Sequence, residues 1–193
     1  MNNKFTAIFV LIIMSLMILP ACSPKGETPE QATTNALNAI RDMKTSTIQK
    51  YLVYEDLMGS EVEELGEDED YVKLIFRHLS HNILSSSIDG ETATVKVEVT
   101  NINMAVILTE YIQQAFAFAF SNAFSEDPLS EEEVNELTEQ MLVDLLKKDD
   151  VELTTSTTTI ALTKNDSSWK LEVDDVFRDA ILGGMLSAME DID

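Results

Sequence analysis

The chain has 193 residues, and its 35 acidic residues against 13 basic ones give a formal net charge of −22. The length suits one domain of ordinary size. So acidic a chain has few lysines and arginines with which to neutralise phosphates, which argues against nucleic-acid binding. An anionic membrane surface would also repel the chain. The single cysteine excludes a disulfide within the chain, and no cofactor is expected.

The start of the chain, "MNNKFTAIFVLIIMSLMILPACSP", allows three interpretations: a membrane span, a secretory signal or a site of lipid attachment. The apolar run covers residues 5–19, which is shorter than the roughly 20 residues that a membrane-spanning helix needs. It follows Lys4, and a positive start before a short apolar run is typical of a secretory signal. The interpretation as a membrane span is therefore the weaker one.

The stretch Leu19-Pro20-Ala21-Cys22 resembles the lipobox of bacterial lipoproteins. In that family the cysteine thiol receives a diacylglyceryl group, and the signal is cut before the cysteine. The resemblance implies lipidation at Cys22, a signal peptide over residues 1–21, a lipid anchor with a short tether over residues 22–27 and one domain over residues 28–193. The protein would then be attached to the cell membrane by its lipid and face outside the cytoplasm.

Two short helices are predicted at the start of the domain. Thr28 can cap the first helix, Pro29 suits its first position and Gln31 completes a capping box. Its apolar face consists of Ala32, Ala36, Leu37, Ala39, Ile40 and Met43. A break at Lys44 leads into the second helix, whose inward residues are Ile48, Tyr51 and Leu52.

The next stretch, "EDLMGSEVEELGEDEDY", raises the question of a metal site. The acids at residues 67–70 are consecutive, whereas a calcium loop places its oxygens at alternate positions, so a solvated loop or a helix end is expected. His78 and His81 could share a helix face, but two histidines without a carboxylate motif or a cysteine make a poor metal site. We expect no metal and treat both histidines as surface or half-buried residues.

After these helices the apolar period changes from 3.6 to 2, which predicts two β-hairpins. The first has strands over residues 83–88 and 91–102 with Asp89-Gly90 as its turn, and three valines of its second strand fall on one face: Val95, Val97 and Val99. The second has a Thr-rich strand over residues 151–162 and returns with Trp169, Leu171 and Val173. We interpret the threonine run as an exposed strand rather than as a sugar-binding or ice-binding face.

Between the hairpins, residues 104–124 predict the most apolar helix of the domain. Glu110 and two glutamines interrupt the run, which argues against a membrane span. A row of apolar side chains recurs every four residues: Leu108, Ile112, Phe116, Phe120 and Phe124. Such a row belongs to a core more often than to a cofactor site, and it could also line a hydrophobic pocket beneath a helix that covers a curved sheet. These five residues are the candidate ligand-binding residues.

A second helix follows Pro128, with Ser130 as the expected cap and Glu133 at the capping-box position. Its predicted core face consists of Val134, Leu137, Met141, Leu142, Leu145 and Leu146. A final helix is predicted from about Val176, and it contains Gly183-Gly184, which weakens a helix. Either close packing against a neighbour or a break in the helix would explain the two glycines.

Three stretches resemble the landmarks of small bacterial lipoproteins with a nuclear-transport-factor-2-like (cystatin-like) domain of unknown function: "ALNAIRDMKTSTIQKYL", "YVKLIFRHLSHNILSSSIDGETATVKVEVTNIN" and "SSWKLEVDDVFRDAILGG". In that family a helical pair packs on a strongly curved antiparallel sheet and forms a cone with a cavity. The resemblance implies an α+β fold, with amino-terminal helices packed on a curved antiparallel sheet, a helical pair inserted at about residues 104–149 and a carboxy-terminal helix. The insertion departs from the family's pattern.

Some relatives of that fold move protons with a carboxylate and a tyrosine, but the tyrosines here have no diagnostic spacing to acids. The sequence also contains no nucleophile elbow, catalytic triad or phosphate loop, so we do not expect an enzyme. The first hypothesis is a membrane-anchored binding module that holds an apolar ligand or a peptide in the cone. The alternative is a structural or interaction lipoprotein, in which the Phe-rich helix or the acidic face docks on another cell-envelope protein.

Overall fold

The computed structural model describes residues 26–53, 56–57, 69–166 and 168–190. In chain order the elements are helices α1 (Pro29–Arg41), α2 (Thr45–Tyr51) and α3 (Glu69–Phe76), strands β1 (Ser80–Asp89) and β2 (Thr92–Ile102), helices α4 (Met104–Ala123) and α5 (Glu131–Lys147), strands β3 (Leu153–Asn165) and β4 (Ser168–Leu171), and helices α6 (Asp175–Ile181) and α7 (Met185–Glu190). The predicted α+β class is confirmed.

Several predictions concern parts of the chain that the structure does not describe. The signal peptide, Cys22 and the first part of the tether lie outside the described residues, and so does most of the acidic stretch before α3. The predictions made for these segments therefore remain predictions. The described residues begin at Gly26, within the segment predicted as the tether.

Within the described residues, four strands form an antiparallel sheet in the order β1-β2-β3-β4, so that both predicted hairpins are confirmed. At one end of the sheet Thr92 pairs with Thr163, and at the other end Ile102 pairs with Leu153. The first turn contains Gly90 at a φ of +62°, in the left-handed region that glycine adopts without strain. The sheet therefore has one end at the hairpin turns and another at the point where the chain leaves for α4 and returns from α5.

Strand β1 is longer than predicted and contains an irregularity. It begins at Ser80, whereas the sequence pattern starts at residue 83, and its pairing with β2 shifts between Ile83 and Ser85. The shift leaves Leu84 as the extra residue of a β-bulge, which breaks the simple alternation of side chains. After the bulge Ser86 lies opposite Val95 on the helix-covered face, where its hydroxyl donates a hydrogen bond to the carboxylate of Glu30 in α1.

The hydrophobic core lies between one face of the sheet and the helices. The predicted inward residues of β2 are buried, and they pack with Ile160 and Leu162 of β3 beneath α1 and α6. The capping box of Thr28 and Gln31 is present at the start of α1, as predicted. The opposite face of β3 exposes Thr155, Thr157 and Thr159, in agreement with the interpretation of the threonine run as an exposed strand.

The predicted final helix is divided at Gly183-Gly184, and both explanations offered for the glycines apply. Their φ angles are +61° and +80°, which ends α6 and begins α7 in a new direction. A Cβ atom on Gly183 would stand 1.8 Å from the backbone oxygen of Ile102. In the same turn, the backbone oxygen of Gly183 accepts a hydrogen bond from the backbone N–H of Met104 (3.0 Å). Buried Asn101 adds a bond from its Nδ2 to the backbone oxygen of Ile181 (2.7 Å).

The two glycines make a matched pair for a stability test. Gly184→Ala should lower the free energy of unfolding by about 1–2 kcal/mol, because its Cβ meets open space and only the left-handed backbone is strained. Gly183→Ala should lower it by about 3–5 kcal/mol, because the same strain is joined by a clash with a backbone carbonyl. Urea unfolding followed by the fluorescence of Trp169 measures both values, and equal losses would contradict the close approach.

Candidate functional site

Helices α4 and α5 contact each other and form a helical hairpin, joined by residues 124–130. Asn103 caps α4 by accepting a hydrogen bond from the Val106 backbone N, and the predicted capping box of Ser130 and Glu133 begins α5. Between them the side chain of Asn122 accepts a hydrogen bond from the Leu129 backbone N (2.8 Å) and closes the turn. Local hydrogen bonds therefore define both ends of the connection.

Only the base of this hairpin belongs to the core. Met104 and Ile107 of α4 are buried there, together with Leu142, Leu145 and Leu146 of α5. The base is fastened by an ion pair between Lys148 Nζ and Glu110 Oε2 (2.7 Å). Arg77 Nη2 also donates to the backbone oxygen of Lys148 (2.7 Å), which satisfies a carbonyl at the end of α5. The predicted core face of α5 is right for this part and wrong for Leu137, which is exposed.

Four of the five candidate ligand-binding residues lie along α4, Phe124 follows directly at its C-cap, and most of the five are on the surface. Leu108 is half-buried against the core, whereas the exposed fractions are 44% for Ile112, 72% for Phe116, 60% for Phe120 and 76% for Phe124. The expectation that the whole row belongs to the core is therefore wrong. The physical reason is that α4 packs mainly on α5 and α7 rather than across the sheet, so its outer half extends beyond the core. Whether the row binds a ligand stays a prediction.

Two of the exposed aromatic side chains are in contact with each other. The ring centroids of Phe120 and Phe124 are 4.7 Å apart, and the ring planes are tilted by 48°. Exposed apolar residues of the following segment, Leu129 and Leu137, belong to the same hairpin. We call the four residues Ile112, Phe116, Phe120 and Phe124 the exposed row.

The outer part of the hairpin is also strongly acidic. Residues 112–141 contain no lysine or arginine, and they contain seven exposed acids: Glu126, Asp127, Glu131, Glu132, Glu133, Glu136 and Glu139. We call these seven residues the acidic rim. The backbone N–H of Ser130, and then its hydroxyl, lower the pKa of Glu133. This carboxylate is therefore ionised at neutral pH, as the cap of α5 requires.

The two surface cavities that stand out lie away from the exposed row. One, of about 540 Å³, is lined by residues of the tether end and α1: Gly26, Glu27, Glu30, Gln31, Thr34 and Asn35. The other, of about 330 Å³, lies near the turn end of the sheet and includes Asp89, Thr163 and Glu172 in its lining. Most residues that line the two cavities have polar or charged side chains, and no residue of the exposed row is among them.

The tether end itself is fixed to the domain by contacts that the sequence did not predict. Asn35 Nδ2 and the Tyr51 hydroxyl donate to Glu27 Oε1 at 2.6 and 2.9 Å, and Trp169 Nε1 donates to the Glu27 backbone oxygen at 3.1 Å. Burial, and then the hydrogen bond to Glu27, raise the pKa of Tyr51, which keeps its proton available for donation. The chain is thus held at this point by α1, α2 and β4. Alternation placed Trp169 inward, but no local signal links it to Glu27.

The histidines occupy half-buried positions, as expected from the sequence. Over the described ranges, no group of three or more His, Cys, Asp or Glu side chains is placed to hold a metal ion. In the same described ranges, no helix is both long enough and apolar enough to cross a membrane.

Comparisons with known proteins identify a family. The model of a domain of unknown function (DUF5105) matches residues 32–185, a range that includes the whole hairpin. No curated protein matches the chain in sequence. A solved structure that it resembles is that of a candidate lipoprotein (ycdA) from Bacillus subtilis, with 18% identity and a TM-score of 0.43. The alignment covers 77% of this chain and 43% of that one, so this chain spans less than half of its length. The expected nuclear-transport-factor-2-like architecture stays a prediction.

The half-buried His81 gives a prediction for stability against pH. Burial, and then the positive charge of Arg41, lower its pKa from 6.5 in the folded state. The unfolded chain therefore takes up this proton first, and His81 should make the free energy of unfolding fall as the pH drops below about 6.5. Urea unfolding at a series of pH values should give a flatter profile for His81→Gln between about pH 7 and pH 5. Profiles of equal slope would contradict the assignment.

Proposed function

We propose that this chain, which belongs to the DUF5105 family of domains of unknown function, is a lipid-anchored protein outside the cytoplasm that binds another cell-envelope protein through its helical hairpin. The observation that carries the proposal is the exposure of the row on α4. It favours the docking alternative of the sequence analysis over a small ligand enclosed in a cone. The proposal assigns no catalytic reaction to the domain.

Large apolar side chains in such an arrangement are unusual on a surface without a partner. A helix that is apolar around most of its circumference is normally buried, and soluble monomers rarely expose large contiguous apolar patches. Removing a large apolar side chain from water gains about 1.5–3 kcal/mol, and aromatic residues dominate the energetics of many interfaces. A protein surface laid against the exposed row would therefore gain substantial binding energy.

The interior of the domain is less suited to hold a ligand. The sheet face on which a cone would need its cavity is occupied by the core, in which residues of α1 and α6 pack directly against β2 and β3. Ala36, Ile40, Val97, Ile160 and Phe177 are all at most 1% exposed. Among the described residues, the exposed phenylalanines are all on the outside of the hairpin.

The tether and the hairpin join the sheet at opposite ends, which suits a lipid-held docking protein. Glu27 is bonded to Trp169, which pairs with Lys164 near the turn end, whereas α4 follows Ile102 at the other end. Strand β2 between these ends has 11 residues and therefore measures about 33 Å. From Gly26 back to Cys22 the chain can reach at most about 14 Å. A lipid on Cys22 would thus hold the turn end near the bilayer and leave the hairpin attached at the distant end.

A photo-crosslinking amino acid placed at Phe116 in living cells tests the docking. We expect one recurrent adduct with an envelope protein, and we expect the double substitution Phe120→Ala and Phe124→Ala to remove most of it. The same crosslinker at Val176, which is similarly exposed (64% against 72%) but lies outside the hairpin, is the control and should give no such adduct. Adducts of equal yield at both positions, or no adduct at Phe116, would refute the proposal.

A stability measurement separates docking from folding. The double alanine variant of the exposed row should change the free energy of unfolding by no more than about 1 kcal/mol, because both side chains are in water already. Phe177→Ala, at a fully buried position, should lower it by about 3–5 kcal/mol.

The lipid anchor has its own test. Cys22→Ala should abolish metabolic labelling with a fatty acid and stop cleavage by the lipoprotein signal peptidase, because the thiol that receives the diacylglyceryl group is lost. Ser23→Ala, one residue further, is the control and should be labelled normally. A Cys22→Ala protein that remains in the membrane fraction with the mass of the unsubstituted protein would show that residues 5–19 act as an uncleaved span.

A further inference from the structure

The exposed row and the acidic rim occupy the same part of the hairpin, and together they restrict what can bind there. Residues 112–141 carry seven acids without any base. The cations closest in sequence are Lys147 and Lys148 at the base, where Lys148 is paired with Glu110. Any surface that covers the exposed row therefore comes close to a segment that carries seven acids and no base.

Two otherwise plausible occupants are disfavoured by this charge. An anionic bilayer would repel the rim while the row inserted, and the repulsion grows with each carboxylate brought near the surface. A second copy of the chain, placed symmetrically on the same face, would bring two acidic rims together. A positively charged protein surface would attract the acidic rim, whereas an anionic bilayer or a second acidic rim would repel it.

The row also has a shape that a helix can match. Its residues follow one another at intervals of four, which forms a ridge along α4, and such a ridge packs into the groove between the ridges of a second helix. From Ile112 to Phe124 the ridge is about 18 Å long, the length of about 12 helical residues. The contact between Phe120 and Phe124 gives the ridge two adjacent aromatic side chains near its end.

We propose that the occupant is an amphipathic helix of the envelope partner, with an apolar stripe that covers the exposed row and with lysine or arginine residues that flank the stripe and face the acidic rim. This inference rests on the proposed function and specifies the chemistry of its partner. The helix adds to α4 and α5 as a third member. Its apolar stripe supplies most of the affinity, and its basic flanks supply the selectivity and the dependence on salt.

Two synthetic peptides of 18 residues test the chemistry on the full chain. Both carry leucine at helical spacing; one has lysine at the flanking positions and the other has glutamate. By fluorescence anisotropy, the lysine peptide should bind at least about tenfold more tightly than the glutamate peptide, and its affinity should fall as salt is added. Equal affinities, or tighter binding of the glutamate peptide, would overturn the proposal.

Matched variants separate this site from general attraction to an acidic protein. Glu132→Gln with Glu136→Gln should weaken binding of the lysine peptide by about threefold to tenfold. Asp89→Asn with Asp166→Asn removes the same charge from exposed sites at the turn end and should leave binding unchanged. Phe120→Ala with Phe124→Ala should reduce the affinity at least tenfold. Equal effects of the two acid pairs, or no effect of the phenylalanine pair, would count against the site.

Two further outcomes are informative. Binding of the full chain to vesicles of phosphatidylglycerol and phosphatidylcholine, lost in the double phenylalanine variant, would make the bilayer the occupant and overturn the proposal. Self-association of the chain that is lost in the double phenylalanine variant would make a second copy the occupant and would also overturn the proposal. If the crosslinked envelope protein contacts Phe116 through a surface that is not a basic helix, this inference fails while the proposed docking function stands.

Discussion

The close approach of Gly183 to the end of β2 determines how the rest of the structure is arranged. Because no side chain stands between them, the turn after α6 can lie directly on Ile102, and its carbonyl can accept from the first residue of α4. Asn101 strengthens the same junction from within the core. The position where the sheet ends and the direction in which the hairpin begins are therefore fixed by one contact between distant parts of the chain.

Helix α4 passes through two environments that have different physical roles. Its first turns are held by the junction at Gly183 and by the buried base of α5, so substitutions there act on folding. Its outer half contributes little to the core: Phe116 and Phe120 are exposed, and Phe120 contacts the exposed Phe124 that follows the helix. The domain thus exposes apolar residues that lie outside its core, and their exposure supports the proposed binding role.

Local patterns predicted most of the elements, because their causes are local. The capping boxes at Thr28 and Ser130, and the turn at Gly90, are short-range interactions that leave a direct trace in the sequence. The sequence pattern does not include the start of β1, because Ser80, His81 and Asn82 are polar and give no apolar alternation before Ile83. The bonds to Glu27 join residues that are 24 and 142 positions apart, and such pairs have no local signature.

The exposed row could be found from the sequence, but its environment could not. A spacing of four residues predicts an apolar ridge on a helix, and it does so equally whether the ridge is covered by the same chain or by another one. The acids of the same segment indicate that the ridge is exposed, because seven carboxylates beside an apolar ridge are not expected in the core of a domain. By like-charge repulsion they oppose the approach of two exposed rows, and in the proposed interface they favour basic residues beside the apolar contact. The same charges therefore oppose self-association and select the surface that can bind.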